Sequence, residues 1–353
     1  MTEAEAGRPR AETGHLGLGA RFAPRAVHRR PDLPASVRIW EVGPRDGLQN
    51  EPSIVPAAVK AELVTRLVAA GLSVVETTSF VSPRWVPQLA DAEEVCSLLA
   101  PLRASRRASA DLRLPALVPN LPGLERARAC GVRDVCVFAS ATETFAERNL
   151  NRSRAEVLAA SAAVAAEARA EGMGVRGYVS MCFGDPWEGA VAEADVVSAC
   201  ERLLEAGAEE VSLGDTIGVA TTGQVVDLLD ALARAGVPAR RLAVHFHDTY
   251  GQALANTVTA LVCGITTVDS SAGGIGGCPF AESATGNLAT EDLCWALDGA
   301  GVETGVDLDA LVETSVWMAG QLGRPSPSRV VQALSGRTRP DGDRVAGAAS
   351  EEA

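Results

Sequence analysis

"VRIWEVGPRDGLQNEPSIVPAAVKAELVTRLVAAGLSVVETTSF", residues 37–80, holds two β-rich runs separated by a polar turn and one helical segment. "VRIWEV" carries the β-branched and aromatic residues that suit a pleated strand. Pro56 opens "PAAVKAELVTRLVAAG", whose apolar residues recur at helical spacing, and Gly71 closes it, as helix start and stop chemistry requires. The second β-rich run, "SVVETTSF", begins two residues later. A helix between two strands is the crossover that parallel pairing needs, so this stretch predicts one βα unit and the strand that follows it.

The unit repeats along the chain. Eight predicted strands, "VRIWEV", "SVVETTSF", "LRLPALVP", "DVCVFAS", "VRGYVSM", "EVSLGDT", "LAVHFHD" and "TTVDSSA", alternate with amphipathic segments such as "SRAEVLAASAAVAAEARAEG", residues 153–172. The fold class is therefore α/β, a (β/α)8 TIM barrel over residues 37–334 with short extra C-terminal helices. A doubly wound sheet fits less well, because the glycine-rich "SAGGIGGCPF" follows the last strand and lacks the third glycine of G-x-G-x-x-G. Residues 1–36 and 335–353, rich in Gly, Ala and charge, are expected to be disordered extensions.

Composition narrows the function classes. The net charge is −13, with 32 basic against 45 acidic residues, which argues against nucleic-acid binding. Lys60 is the only lysine and falls on the first predicted helix. Schiff-base aldolase chemistry, which needs a lysine in an apolar strand-end pocket, is excluded on that ground. The eight cysteines, 96, 130, 136, 182, 200, 263, 278 and 294, form no C-x-x-C pair and fit reduced thiols in a cytoplasm. No apolar run long enough for a membrane span and no signal peptide is expected.

In a TIM barrel the reactive groups gather at the C-terminal ends of the strands. His245 and His247 of "VHFHD" are spaced i, i+2 on a predicted strand, so they project to one face about 7 Å apart along the chain and can share a metal ion. The plain alternative is a pair of hydrogen-bonded interior histidines. Asp46 follows the first strand and would lie on the same rim; as a turn aspartate before Gly47 it also has an ordinary explanation. A hard ion such as Mg²⁺ or Mn²⁺ prefers oxygen ligands beside the histidines. Glu76 and Asp215 also end strands, where an unpaired carboxylate is costly and calls for a partner. The loop from Ser270 to Asp292 carries glycine pairs able to let it move, Cys278, and Asn287, whose amide can cap a helix or complete a metal shell.

These segments resemble the 3-hydroxy-3-methylglutaryl-CoA lyases of the metal-dependent lyase and Claisen-condensing superfamily of TIM barrels. "EVGPRDGLQNE", "GLSVVETTSFVSPRWVPQLAD", "RGYVS", "SLGDTIGVAT", "HFHDTYGQALAN" and "GGCPFAESATGNLATEDL" carry the resemblance, which runs from about Val37 to Leu334. It implies a divalent ion, Mg²⁺ or Mn²⁺, held by Asp46, His245, His247 and Asn287. It implies Arg45 at the enolate oxygen, Cys278 in proton transfer, Glu76 and Asp215 as supporting acids, and Arg176 as a second substrate-binding arginine. It further implies an acyl-CoA substrate, a likeness to dimeric relatives, and no nucleic-acid or membrane partner. Lyases for related 3-hydroxy-3-alkylglutaryl-CoA thioesters, and a non-catalytic metal-binding barrel, are the alternative readings. The acyl chain and the pathway, leucine breakdown or another, stay open at this level.

Overall fold

The computed structural model describes residues 26–105, 111–278 and 281–335. The barrel strands are β1 (Arg38–Glu41), β2 (Val74–Val75), β3 (Thr78–Ser79), β4 (Ala116–Leu117), β5 (Asp134–Ser140), β6 (Gly174–Ser180), β7 (Glu210–Asp215), β8 (Leu242–Phe246) and β9 (Thr267–Ser270). All pair in parallel, in the order β2-β1-β9-β8-β7-β6-β5-β4-β3. β2 and β3 are the two halves of the single predicted strand "SVVETTSF", so the two ends of this order belong to one run and the ring closes. The join is made by Val75 N–H to Arg113 O at 3.1 Å and Thr77 N–H to Pro115 O at 2.9 Å. Pro115 has no N–H to return, which accounts for the broken ladder and the two-residue β4.

Helices α1 (Ala57–Ala69), α2 (Ala92–Leu98), α3 (Ala100–Ser105), α4 (Leu121–Ala129), α5 (Glu143–Leu150), α6 (Arg154–Ala170), α7 (Glu193–Glu205), α8 (Thr222–Arg234), α9 (Ala253–Val262) and α10 (Thr290–Gly299) surround the ring. Two capping boxes fix helix starts, Ser153 with Glu156 on α6 and Thr221 with Gln224 on α8. The expected extra helices are α11 (Leu308–Leu322) and α12 (Arg329–Ser335). Between β9 and α10 lies a two-stranded hairpin, β10 (Gly277–Cys278) and β11 (Ala281–Thr285), which the sequence reading treated as loop.

The main apolar core fills the space between sheet and helices. A smaller cluster, including Trp40, Val42, Leu117 and Tyr178, packs inside the barrel. Lys60, 1% exposed, reaches from α1 to Asp91 at 2.7 Å and to the Gln88 carbonyl, tying the first helix to the second unit.

The N-terminal boundary differs from the expectation at residue 37. His28 N–H and Arg30 N–H donate to the carbonyls of Gly299 and Ala300, both at 3.0 Å, and Leu33 is buried. The end of α10 supplies carbonyls without intrahelical partners, and the incoming chain satisfies them. Residues 1–25 and 336–353 of the expected extensions lie outside the described residues.

Candidate active site and metal centre

At the end of β1 the chain makes one wide helical turn, Gly43–Gly47, that opens with Pro44. The N–H groups of Arg45, Asp46 and Gly47 converge on the Val42 carbonyl at 3.1, 2.7 and 3.2 Å. This local closure brings the two adjacent charges of "PRDG" to the mouth of the barrel. Arg45 Nε donates to Glu76 at 2.5 Å and its Nη1 to Asp46 at 2.5 Å. Burial alone would lower the Arg45 pKa, but Glu76 and Asp46 raise it beyond the ordinary value, so it is a permanent cation. Glu76 is fully buried and also accepts from Trp40 Nε1 at 3.1 Å and Tyr178 OH at 2.6 Å. It anchors Arg45.

β8 delivers the histidines. Ligand atoms of Asp46, His245 and His247 all lie within 4.8 Å of one another. His245 Nε2 is 3.9 Å from Asp46 Oδ2, and the two imidazole centroids are 5.3 Å apart. His247 Nδ1 is buried and has no hydrogen-bond partner, a costly state for a polar nitrogen unless something else coordinates it. Burial, then His245, pushes the His247 pKa down to about 4, so the ring is neutral at pH 7 and one of its nitrogens keeps a free lone pair. Burial would raise the Asp46 pKa, but Arg45, then the histidines, hold it well below the usual carboxylate range. Two imidazoles and an ionised carboxylate are a donor set for a divalent cation, and the residues present fit one.

Asn287 completes the cluster. After the hairpin the chain runs back along β8, with Asp248 N–H donating to Gly286 O at 2.6 Å and Leu288 N–H to Phe246 O at 3.2 Å. This pairing sets Asn287 opposite His247. Its Nδ2 donates to Asp46 Oδ2 at 3.0 Å and to Ile275 O at 3.2 Å, which leaves its oxygen as the group to offer a cation. Gly276, at φ 113°, presses on this amide: a Cβ there would sit 2.6 Å from Asn287 Nδ2.

Two of the expected site residues, Arg176 as a substrate-binding arginine and Asp215 as a supporting acid, do not line the cavity. Arg176 is 2% exposed, inside the barrel between Trp40 and Tyr178, with ring centroids 4.1 and 4.9 Å from its guanidinium carbon. It is spent on Asp269 at 2.6 Å and Glu210 at 3.0 Å and does not line the cavity. Direct substrate binding by Arg176 is therefore corrected to a supporting role. Asp215 turns away too: its oxygens accept from Val219 N–H and Ala220 N–H, both at 3.0 Å, and brace the loop after β7. Burial pushes its pKa up to about 6. The Cys278 backbone belongs to β10, one residue beyond Gly277 on the cavity wall; its side chain lies outside what is described.

The sequence reading missed Asp269. Its Oδ2 stands 3.2 Å from His245 Nδ1 and its carboxylate holds Arg176. An Nδ1–H donated to Asp269 leaves Nε2 as the free lone pair beside Asp46, the arrangement that orients metal-bound imidazoles. The signal was present in "TTVDSSA", a carboxylate within a strand buried on both faces. Tyr178, in "RGYVS", was missed as well.

Above the cluster opens a cavity of about 920 Å³. Arg45, Asp46, His245 and His247 form its inner end, and Trp85, Phe145 and Arg152 stand along the outer part.

The HMGL-like family model matches residues 36–317. The chain belongs to the HMGL-like family. It is 49% identical over 313 residues to the mitochondrial hydroxymethylglutaryl-CoA lyase of Arabidopsis thaliana, covering 89% of this chain and 65% of that protein, so it spans just under two thirds of that relative. The cytoplasmic 3-hydroxy-3-methylglutaryl-CoA lyase of Danio rerio is 50% identical over 304 residues, covering 86% of this chain and 88% of its own. Among solved structures, an HMG-CoA lyase from Acinetobacter baumannii in complex with coenzyme A and 3-methylmalate superposes with a TM-score of 0.78 at 34% identity, covering 85% of this chain and 95% of the other. HMGL-like membership and the barrel agree with the fold read from the strand alternation. Among the described residues no helix is long and apolar enough to cross a membrane.

Proposed function

We propose that this chain is a carbon–carbon lyase that cleaves 3-hydroxy-3-methylglutaryl-CoA to acetyl-CoA and acetoacetate. The observation that carries this reading is the convergence of a permanently charged arginine and a three-residue cation site on one end of the cavity. Similarity to lyases of that name supports the substrate.

Asp46, His245 and His247, with the Asn287 oxygen, would hold Mg²⁺ or Mn²⁺. A bound cation supplies Lewis-acid polarisation of the tertiary hydroxyl and fixes its position. The residues do the rest. Asp46 or one of the two histidines would take up the hydroxyl proton. As the carbon–carbon bond breaks, its electron pair moves toward the thioester, and Arg45 stabilises the oxygen of the departing enolate without losing its own proton. Glu76 and Asp46 hold two edges of that guanidinium, so its direction is set before the substrate arrives. Cys278, carried on the hairpin at the cavity wall, returns a proton to the acetyl-CoA carbon.

The outer part of the cavity has room for the coenzyme A arm, and a structural relative is in complex with that molecule. The described cysteines are free, which suits a reducing compartment such as the cytoplasm.

The test is to incubate chelator-stripped protein with 3-hydroxy-3-methylglutaryl-CoA and follow acetoacetate with and without Mg²⁺ or Mn²⁺. Metal-dependent release of both products is expected. No release with either ion, from protein that still binds the ion, would overturn the substrate assignment.

A further inference from the structure

Two cysteines lie together in the outer helical layer, on neither the cavity wall nor the metal cluster. Cys96 is on α2, and Cys130 follows the last residue of α4. The same two helices are joined by Arg126 Nε donating to Glu93 Oε1 at 2.7 Å. From that link Cys96 is three residues onward on α2 and Cys130 four residues onward on α4. Helices of a βα barrel run in the same direction, so one turn along each leaves the two thiols facing one another. Cys96 is buried, and its Sγ accepts from Arg103 Nη2 at 3.3 Å while Arg103 Nη1 holds the Cys96 carbonyl at 2.9 Å. Cys130 is half-buried, reachable from solvent, and its thiol interacts with that of Cys96.

We propose that Cys96 and Cys130 are a redox-convertible dithiol, closing to a disulfide that clasps α2 to α4 when an oxidant of the peroxide class reaches Cys130. The Cys130 thiolate attacks hydrogen peroxide, forming an S–O bond and releasing hydroxide. The Cys96 sulfur then attacks that sulfenic sulfur, and the S–O bond breaks with loss of water. Two thiols and one peroxide give one disulfide and two waters, with two electrons passing from sulfur to oxygen. Burial, followed by the neighbouring Cys96, pushes the Cys130 pKa up to about 11, so little thiolate is present at neutral pH and the first step is slow, needing sustained peroxide. The clasp sits behind the cavity wall: Arg126 also lies over the Phe80 ring, 5.4 Å from its centroid, just before the segment that carries Trp85.

The whole protein would be treated with hydrogen peroxide, quenched, alkylated under denaturing conditions, digested and examined by mass spectrometry. A Cys96–Cys130 cross-linked peptide is expected, two hydrogens lighter than its reduced halves and released by dithiothreitol. It should be absent from Cys130→Ser, and oxidation should raise Tm in the parent but not in that variant. Recovery of both cysteines alkylated, or of Cys130 as sulfinic acid with Cys96 still alkylated, would overturn the proposal.

Discussion

Asp269 carries two loads with one carboxylate: it neutralises Arg176 in the barrel interior and fixes the ring of His245. Burial would raise its pKa, but Arg176, then His245, keep it lowered and ionised. Asp269→Asn keeps the shape and removes the charge. We expect Mn²⁺ affinity, read by calorimetry, to fall by about 10- to 100-fold, as is usual when the partner behind a metal-binding histidine is lost. Tm should fall too, because Arg176 is left with less compensation in the interior. Unchanged affinity would mean that His245 is held by other contacts. At this scale the sequence was readable where spacing speaks: "HFH" and "RD" each put two groups at one site. It was unreadable for Arg176, because a residue inside a strand points inward or outward according to register, which no local pattern states.

At the scale of elements, the turn after β1 and the loop after β9 share buried acids. Glu41 accepts from Gly43 N–H at 2.8 Å, Ala272 N–H at 2.9 Å and Thr290 Oγ1 at 2.7 Å. Glu291 accepts from Gly273 N–H at 2.9 Å and from Ser315. Burial pushes these carboxyls up to about 7 and about 8, against 4.5 for an ordinary glutamate. The native state therefore holds protons that the unfolded chain releases near pH 4.5. This stabilisation is complete below that pH and is lost as pH rises through 7 to 8. The depressed His247 acts in the opposite sense up to its ordinary 6.5 but offsets only one of the two carboxyls, so the net fall should begin near pH 4.5 and run to about 8. Urea midpoints in chelator should decline over that interval, and Glu291→Gln should flatten the decline; a flat profile in the parent would contradict it. The helix start at Pro56 was legible because start and stop chemistry is local. The β10–β11 hairpin was not, because its glycines allow many paths and only the pairing of residues 286–288 along β8 selects one.

At the scale of the whole molecule, the cation site draws on three segments far apart in sequence, the turn after β1, the end of β8 and the strand-like return after the hairpin. The pairing of β1 with β9 and of β9 with β8, and of Asn287 with His247, is what brings them together. A cation that binds only this assembled site should stabilise the fold by about 2.7 kcal/mol at a hundredfold excess over Kd. Tm should accordingly drop in EDTA and recover with Mn²⁺; equal Tm in both would mean that the cluster is not a cation site. The ring was legible because eight βα alternations leave few other architectures, whereas the order of contacts around the cavity required the coordinates. Lys60 adds a last consequence. It is the sole lysine among the 32 basic residues, and it is sealed between α1 and the Asp91 carboxylate. The folded surface bears its positive charge on guanidinium groups, which resist acyl transfer, so a barrel working beside reactive thioesters presents them with no ε-amine. An N-hydroxysuccinimide ester should therefore leave Lys60 unmodified in the native protein and acylate it in urea, making one side chain a clock for global opening.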